Sequence, residues 1–346
     1  MATEKIFILF IILLSMVGTK ALAYDIAVKN ADGVTIYYNY INSGEELEVT
    51  RCNGGDYSGS VVIPEEVTYD NMTRKVTSIG IWAFQNCSDL TSISIPNSIK
   101  SIGSYAFYYC TGLTSISIPD SVTDIDIFTF YGCTGLTSIS IPDSVTYIGN
   151  SVFYDCSGLT SVSIPNSMKY IGSHAFYGCT GLTSVHINDI AAWCKITFGD
   201  YEGNPLYYAN HLYLNGEEIL DLVIPDSVTS IASVVFYGCT DLTSVSIPNS
   251  VESIGGKAFS GCTGLASVHI NDIATWCKIS FGDYEGNPLY YAHHLYLNGE
   301  EILDLVIPDG VTSIASAAFN HCTDLTSISI PKSMTSISSN AFNGCI

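Results

Sequence analysis

The sequence predicts an α/β repeat solenoid of about eleven coils, with a parallel β-sheet on one face, irregular or short helical return segments and a β-rich amino-terminal cap. Three observations predict it. Cys87, Cys110, Cys133, Cys156 and Cys179 are each 23 residues apart, and the pairs Cys239/Cys262 and Cys322/Cys345 keep that step. A phenylalanine stands three residues before each of these nine cysteines. Pro96, Pro119, Pro142 and Pro165 repeat at the same interval of 23. A period of this size marks stacked units, none of which buries its apolar face without its neighbours.

The strand comes first in each unit. From Leu113 to Cys133 the chain reads LTSISIPDSVTDIDIFTFYGC. Leu113, Ile116 and Ile118 form an L-x-x-I-x-I pattern whose end alternates as a half-buried strand requires, which turns Ser115 and Ser117 outward. Pro119 offers no N–H to the ladder, so the strand stops there and the chain turns through Asp120-Ser121. Val122, Ile125 and Phe130 return apolar groups to the interior before Gly132 helps the chain turn again. Strands of this kind are expected to end near residues 63, 95, 118, 141, 164, 187, 224, 247, 270, 307 and 330. At about 4.8 Å per strand they would make one sheet roughly 50 Å long.

The recurring pattern L-T-S-[IV]-S-I-P-x-S-[VIM]-x-x-I-x-x-x-[AV]-F-x-x-C resembles the BspA-like, treponemal-type leucine-rich repeats of surface proteins from anaerobic gut and oral bacteria and some protists. The likeness runs from about residue 77 to 346. It implies a curved leucine-rich-repeat solenoid, adhesion to host or bacterial surfaces, and no catalytic residues.

Two coils depart from the period. Cys179 and Cys239 stand farther apart than two periods, as do Cys262 and Cys322, so one coil in each interval carries 14 extra residues. The long coils, 186–224 and 269–307, lie within a block duplicated in tandem, and segments 186–232 and 269–315 differ at only four of 47 positions. In each, Asn188-Asp189 or its copy can cap a short helix with Ile190, Trp193 and Cys194 on one face. Asn215-Gly216 between two apolar segments signals a type I′ hairpin. The long coils are therefore expected to carry protruding structure.

At the amino terminus, Lys5, the apolar run Ile6 to Val17 and the small residues Ala21-Leu22-Ala23 read as a signal peptide over 1–23. Residues 24–76 are expected to form the cap and first coil, with turns at Asp32-Gly33 and Ser43-Gly44, and 77–346 the solenoid. The apolar run is shorter than the roughly 18 residues of a spanning helix, so no membrane insertion is expected after cleavage. The expected location is secreted or cell-surface. The formal net charge of −21 makes nucleic acid and anionic membranes poor partners.

The chemistry-bearing residues suggest binding before catalysis. The repeat cysteines point in parallel rather than at one another, which favours buried free thiols over disulfides, and no C-x-x-C pair or His/Cys cluster of zinc spacing appears. A Cys194/His186 nucleophile is conceivable, but Cys194 falls on the inward face of the expected helix with Trp193. Asp200-Tyr201-Glu202-Gly203-Asn204 alternates oxygen ligands as a Ca²⁺ loop does, yet offers too few of them for anything but a solvated acidic turn to be expected. No cofactor is expected. The outward serines offer either a solvated face or a docking surface. The long coils alone add rings and imidazoles, so the candidate ligand-binding residues are His186, Tyr201, Tyr207, Tyr208 and Tyr213, with their copies His269, Tyr284, Tyr290, Tyr291 and Tyr296. The partner expected is a protein, or alternatively a glycan, on a host or bacterial surface. A competing reading has these aromatics serving only to pack the long coils onto the solenoid.

Overall fold

The computed structural model describes residues 24–51 and 57–345. The expected leader, 1–23, and Cys52 lie outside the described residues. Strand Ser115–Ser117 buries Ile116 and exposes both serines, as the alternation requires. Strands Ser138–Ser140 and Ser161–Ser163 stack beside it in parallel and in register, Ser115 to Ser138 to Ser161. After each strand the proline carbonyl closes the turn, accepting the N–H of Val122 from Pro119 and of Val145 from Pro142, both at 3.0 Å. A second, shorter strand follows on another side of the coil, exemplified by Asp124–Ile125, Tyr147–Ile148 and Tyr170–Ile171.

The return segment packs the core. Phe84, Phe107, Phe130, Phe153 and Phe176 are fully buried. They form a continuous stack with centroids 5.1 to 5.6 Å apart. Backbone geometry here alternates in hand. The N–H groups of Phe128, Phe130 and Gly132 all donate to the next coil, at the carbonyls of Asn150, Val152 and Tyr154. Phe128 (φ 57°) and Gly132 (φ 70°) lie in the left-handed region, which a bulky residue such as Phe128 occupies only because the stacked coils on either side hold it there.

All eleven expected strands are present, in a solenoid of about eleven turns. The main sheet is not continuous, however. It falls into blocks of eight, five and two strands. The cause is the hairpin of each long coil, whose place differs from the expectation of a protrusion. Strand Leu212–Leu214 lies within the main sheet, pairing in parallel with the preceding coil as Val185 to Leu212 and His186 to Tyr213. Glu217–Glu218 then folds back antiparallel to it. An antiparallel strand cannot extend a parallel ladder in the same register, so the next strand, Asp221–Val223, begins a new sheet with Ser244–Ser246. The second long coil repeats this with Leu295–Leu297, Glu300–Glu301 and Asp304–Val306.

Helix Ile190–Trp193 forms as its sequence predicts, with the Asp189 carboxylate accepting the Ala191 N–H at 2.7 Å. At the amino end, Ile26–Lys29, Thr35–Ile41 and Glu46–Thr50 make an antiparallel meander through the expected turns. Its third strand pairs in parallel with Met72–Ile79, which in turn meets the second-side strand Ser101–Ile102.

Candidate functional site

The ten candidate residues do not form one site. His186 and Tyr213 lie side by side on the outward face of the main sheet, their rings stacked at 4.9 Å. His269 and Tyr296 repeat the pair at 4.8 Å. The first pair follows a row of outward serines, running Ser117, Ser140, Ser163, His186, Tyr213, and the row ends at Glu218 of the hairpin. The imidazole of each is fixed by the serine two residues earlier, Ser184 at 3.1 Å and Ser267 at 3.0 Å.

Tyr201, Tyr207 and Tyr208 belong to the return side, where they meet Tyr237 and Tyr177 rather than the sheet face. Tyr201 stacks on Tyr237 at 5.4 Å, and the Tyr208 hydroxyl accepts the Gly178 N–H at 3.1 Å. They extend a column of tyrosines 108, 131, 154 and 177 that runs along the regular coils. In the copy, Tyr284 and Tyr291 lie against Tyr290, which also meets His321 at 4.8 Å.

The sequence reading missed exposed apolar residues on the strands that open the second and third sheet blocks. Val223 is 64% exposed and Val306 63%, and Leu220 and Leu303 beside them are also exposed. Val223 shares one row with Ser246, His269 and Tyr296. A signal existed, since DLVIP replaces the repeat's S-[IV]-S-I-P only after the two hairpins.

The remaining chemistry-bearing residues serve the structure. Among the described residues ten cysteines are free thiols, nine of them buried and Cys345 half-buried, and Cys87 is buried as well. Burial pushes the Cys194 and Cys277 thiols up to about 12, so neither is a nucleophile at neutral pH. In the acidic turn, Asn204 is fully buried, and its side chain donates to the Val234 carbonyl at 2.7 Å and accepts the Leu206 N–H at 3.0 Å. It holds the long coil closed and is not an available Ca²⁺ ligand. Asp200 and Glu202 both contact His174, at 3.1 and 2.9 Å. No helix among the described residues is long and apolar enough to cross a membrane.

Comparison with solved structures finds a leucine-rich repeat protein from Bacteroides ovatus, 30% identical, with 93% of each chain covered and a TM-score of 0.49. A leucine-rich repeat protein of T. pallidum is 28% identical over 66% of this chain and 87% of that one, with a TM-score of 0.43. A leucine-rich cell surface protein from Faecalibacterium prausnitzii is 24% identical over 90% and 96%, with a TM-score of 0.37. No protein of curated function matches. The family model described as BspA type leucine rich repeat region matches residues 67–200, 209–285 and 293–346 in six copies. With the 23-residue coils, the phenylalanine stack and a match over most of its length, the chain belongs to the BspA-type leucine-rich repeat family.

Proposed function

We propose that this chain is an exported, non-catalytic binding protein that engages protein ligands on host or bacterial surfaces, an adhesion role, through the outward face of its main sheet. Leucine-rich repeat proteins are generally interaction modules. One observation carries the choice of surface. The serine rows give way twice, at His186–Tyr213 and His269–Tyr296, to stacked rings fixed in the sheet, and exposed Val223 stands two strands from His269 in the second row. Aromatic anchors beside apolar side chains are where binding energy concentrates, whereas small hydroxyls contribute complementarity.

The test is a binding screen of the purified chain against immobilised matrix and bacterial surface proteins, alongside a glycan array. Changing both Tyr213 and Tyr296 to Ser restores the regular pattern of the face without touching the core. That variant should weaken binding to the ligand found by about 30-fold, the size of a hot-spot loss of roughly 2 kcal/mol. Full retention would move recognition elsewhere. A glycan ligand at the return-side tyrosines draws less support, because Tyr201 and Tyr237 turn their faces to each other. Tyr207→Ala with Tyr290→Ala tests that reading separately.

A further inference from the structure

Beside the stacked rings at the edge of the sheet face, where Glu218 lies opposite Tyr213 and Glu301 opposite Tyr296, one arrangement of side chains occurs twice and has no part in the packing just described. His211 precedes the hairpin's first strand, Glu218 lies on its second, and Asp241 stands in the return segment of the coil that follows. His211 Nδ1 is 2.6 Å from Glu218 Oε1 and 3.0 Å from Asp241 Oδ2. In the copy, His294 Nδ1 is 2.6 Å from Glu301 Oε1 and 2.8 Å from Asp324 Oδ2. In each trio the three donor atoms lie within 4.8 Å of one another.

We propose that each trio is a binding site for a first-row divalent cation such as Zn²⁺, fastening a hairpin to the sheet block that follows it. The donor chemistry fits, since an imidazole nitrogen with carboxylate oxygens is a set such ions take, while Ca²⁺ takes oxygen alone. The charge fits as well. Two carboxylates face one imidazole, and among the described residues their ion pairs are to that histidine alone, with no lysine or arginine answering them. A single proton on Nδ1 satisfies one carboxylate fully, whereas a dication draws all three donors to one point.

The aspartates give a further reason. Regular coils carry glycine at this position, as at Gly112, Gly135, Gly158, Gly181 and Gly264, where a Cβ would overlap a carbonyl oxygen of the coil before. Directly after each hairpin the glycine is an aspartate, a change that also occurs at Asp89 of the first regular coil. In both, the neighbouring threonine hydroxyl, Thr240 or Thr323, donates to Oδ1 and leaves Oδ2 toward the imidazole. The side chains remain partly open, with His211 38% and Asp241 43% exposed, so water can complete the coordination.

The molecule contains its own control. His174, Asp200 and Glu202 are the same residue types in close company, but there Nδ1 faces Asp200 and Nε2 faces Glu202. There each carboxylate holds a different ring nitrogen, although the three donors lie within the same 4.8 Å, and Asp200 Oδ1 already accepts the N–H groups of His174 and Gly203, which commits this trio to closing the turn.

Calorimetric titration of the chelator-stripped full chain with Zn²⁺ should therefore give two sites and not three. His211→Ala should leave one, and His211→Ala with His294→Ala none. His174→Ala should leave both. The isosteric pair Asp241→Asn with Asp324→Asn repeats the test with little steric change, and circular dichroism checks that each variant is folded. Cobalt loading should show no thiolate charge-transfer band, since the nearby Cys239 is buried. A stoichiometry of zero, which would leave the trios as hydrogen-bonded clasps, or of three, would overturn the proposal. So would binding that survives both double variants.

Discussion

The repeat cysteine acts as a donor. Cys133 Sγ lies 3.1 Å from the Phe107 carbonyl oxygen, and Cys110, Cys156, Cys179 and Cys262 make the same contact with the phenylalanine of the coil before. Each thiol thus fills a small buried space and adds a second donor to a carbonyl that already accepts a backbone N–H within its own coil, as Phe107 does from Cys110 at 3.1 Å. Burial, the largest cause, raises the thiols of Cys110, Cys133 and Cys156 well above their ordinary value of 9.0. A group whose folded value is raised contributes stability in full below its unfolded value and loses it above. The protein should therefore be stable on this account up to about pH 9 and weaken beyond it, by about 1.4 kcal/mol per pH unit for every thiol exposed on unfolding. Midpoints of thermal unfolding between pH 8 and 11 check this. At neutral pH a small thiol reagent should label almost nothing in the native chain and all repeat cysteines after denaturation. Buried thiols were legible from the 23-residue spacing alone, because equivalent positions in stacked coils run parallel. The carbonyl they serve was not, because it belongs to another coil 26 residues away.

Elements hold together through their stacked neighbours. Phe130 sits between Phe107 and Phe153, at 5.3 and 5.6 Å. Phe130→Ala should cost about 3 to 5 kcal/mol, as other buried aromatics do, read by chemical denaturation. The long coils depend instead on polar closure. Trp193 Nε1 donates to the Val235 carbonyl at 3.0 Å, and Asn204 ties the same return segment to helix Leu206–Ala209. Asn204→Ala leaves buried groups without partners and should cost about 2 to 3 kcal/mol, more than Asn210→His, which the copy already carries. The helix at Ile190 and the turn at Asn215-Gly216 were readable because both signals are local. The place of Leu212–Leu214 in the main sheet was not. The step from Val185 to its partner Leu212 is longer than the regular period, and no local signal reports which strand Leu212 will meet.

For the whole molecule, three sheet blocks separated by antiparallel strands should not respond as one unit. Solenoid stability is a sum of coil and nearest-neighbour terms, so a weak junction limits how far damage spreads. In the Phe130→Ala variant, hydrogen exchange should quicken in the first block and stay near wild type in peptides of Ser244–Ile270, beyond the Glu217–Glu218 hairpin. Uniform quickening along the chain would show the junctions to be as cooperative as the coils. The fold class was visible in the sequence because one period governs most of the chain. The segmentation was not, since it arises from a clash between two ladder directions that exists only once the strands are side by side.

The same duplicated junction makes the molecule a ruler. Tyr213 and Tyr296 occupy identical places in the two copies of the block, and five strand positions lie from one to the other, counting the hairpin strand. Three of those steps, from Asp221–Val223 to Leu295–Leu297, are hydrogen-bonded and span about 14 Å, and the hairpin junction adds a fixed remainder. A ligand that repeats its own epitope near that combined distance would engage both at once and gain from effective concentration, while one with a shorter or longer repeat would engage only one. Adding or deleting a single copy of the block would change the number of such contacts while keeping their spacing, because each junction rebuilds the same interface.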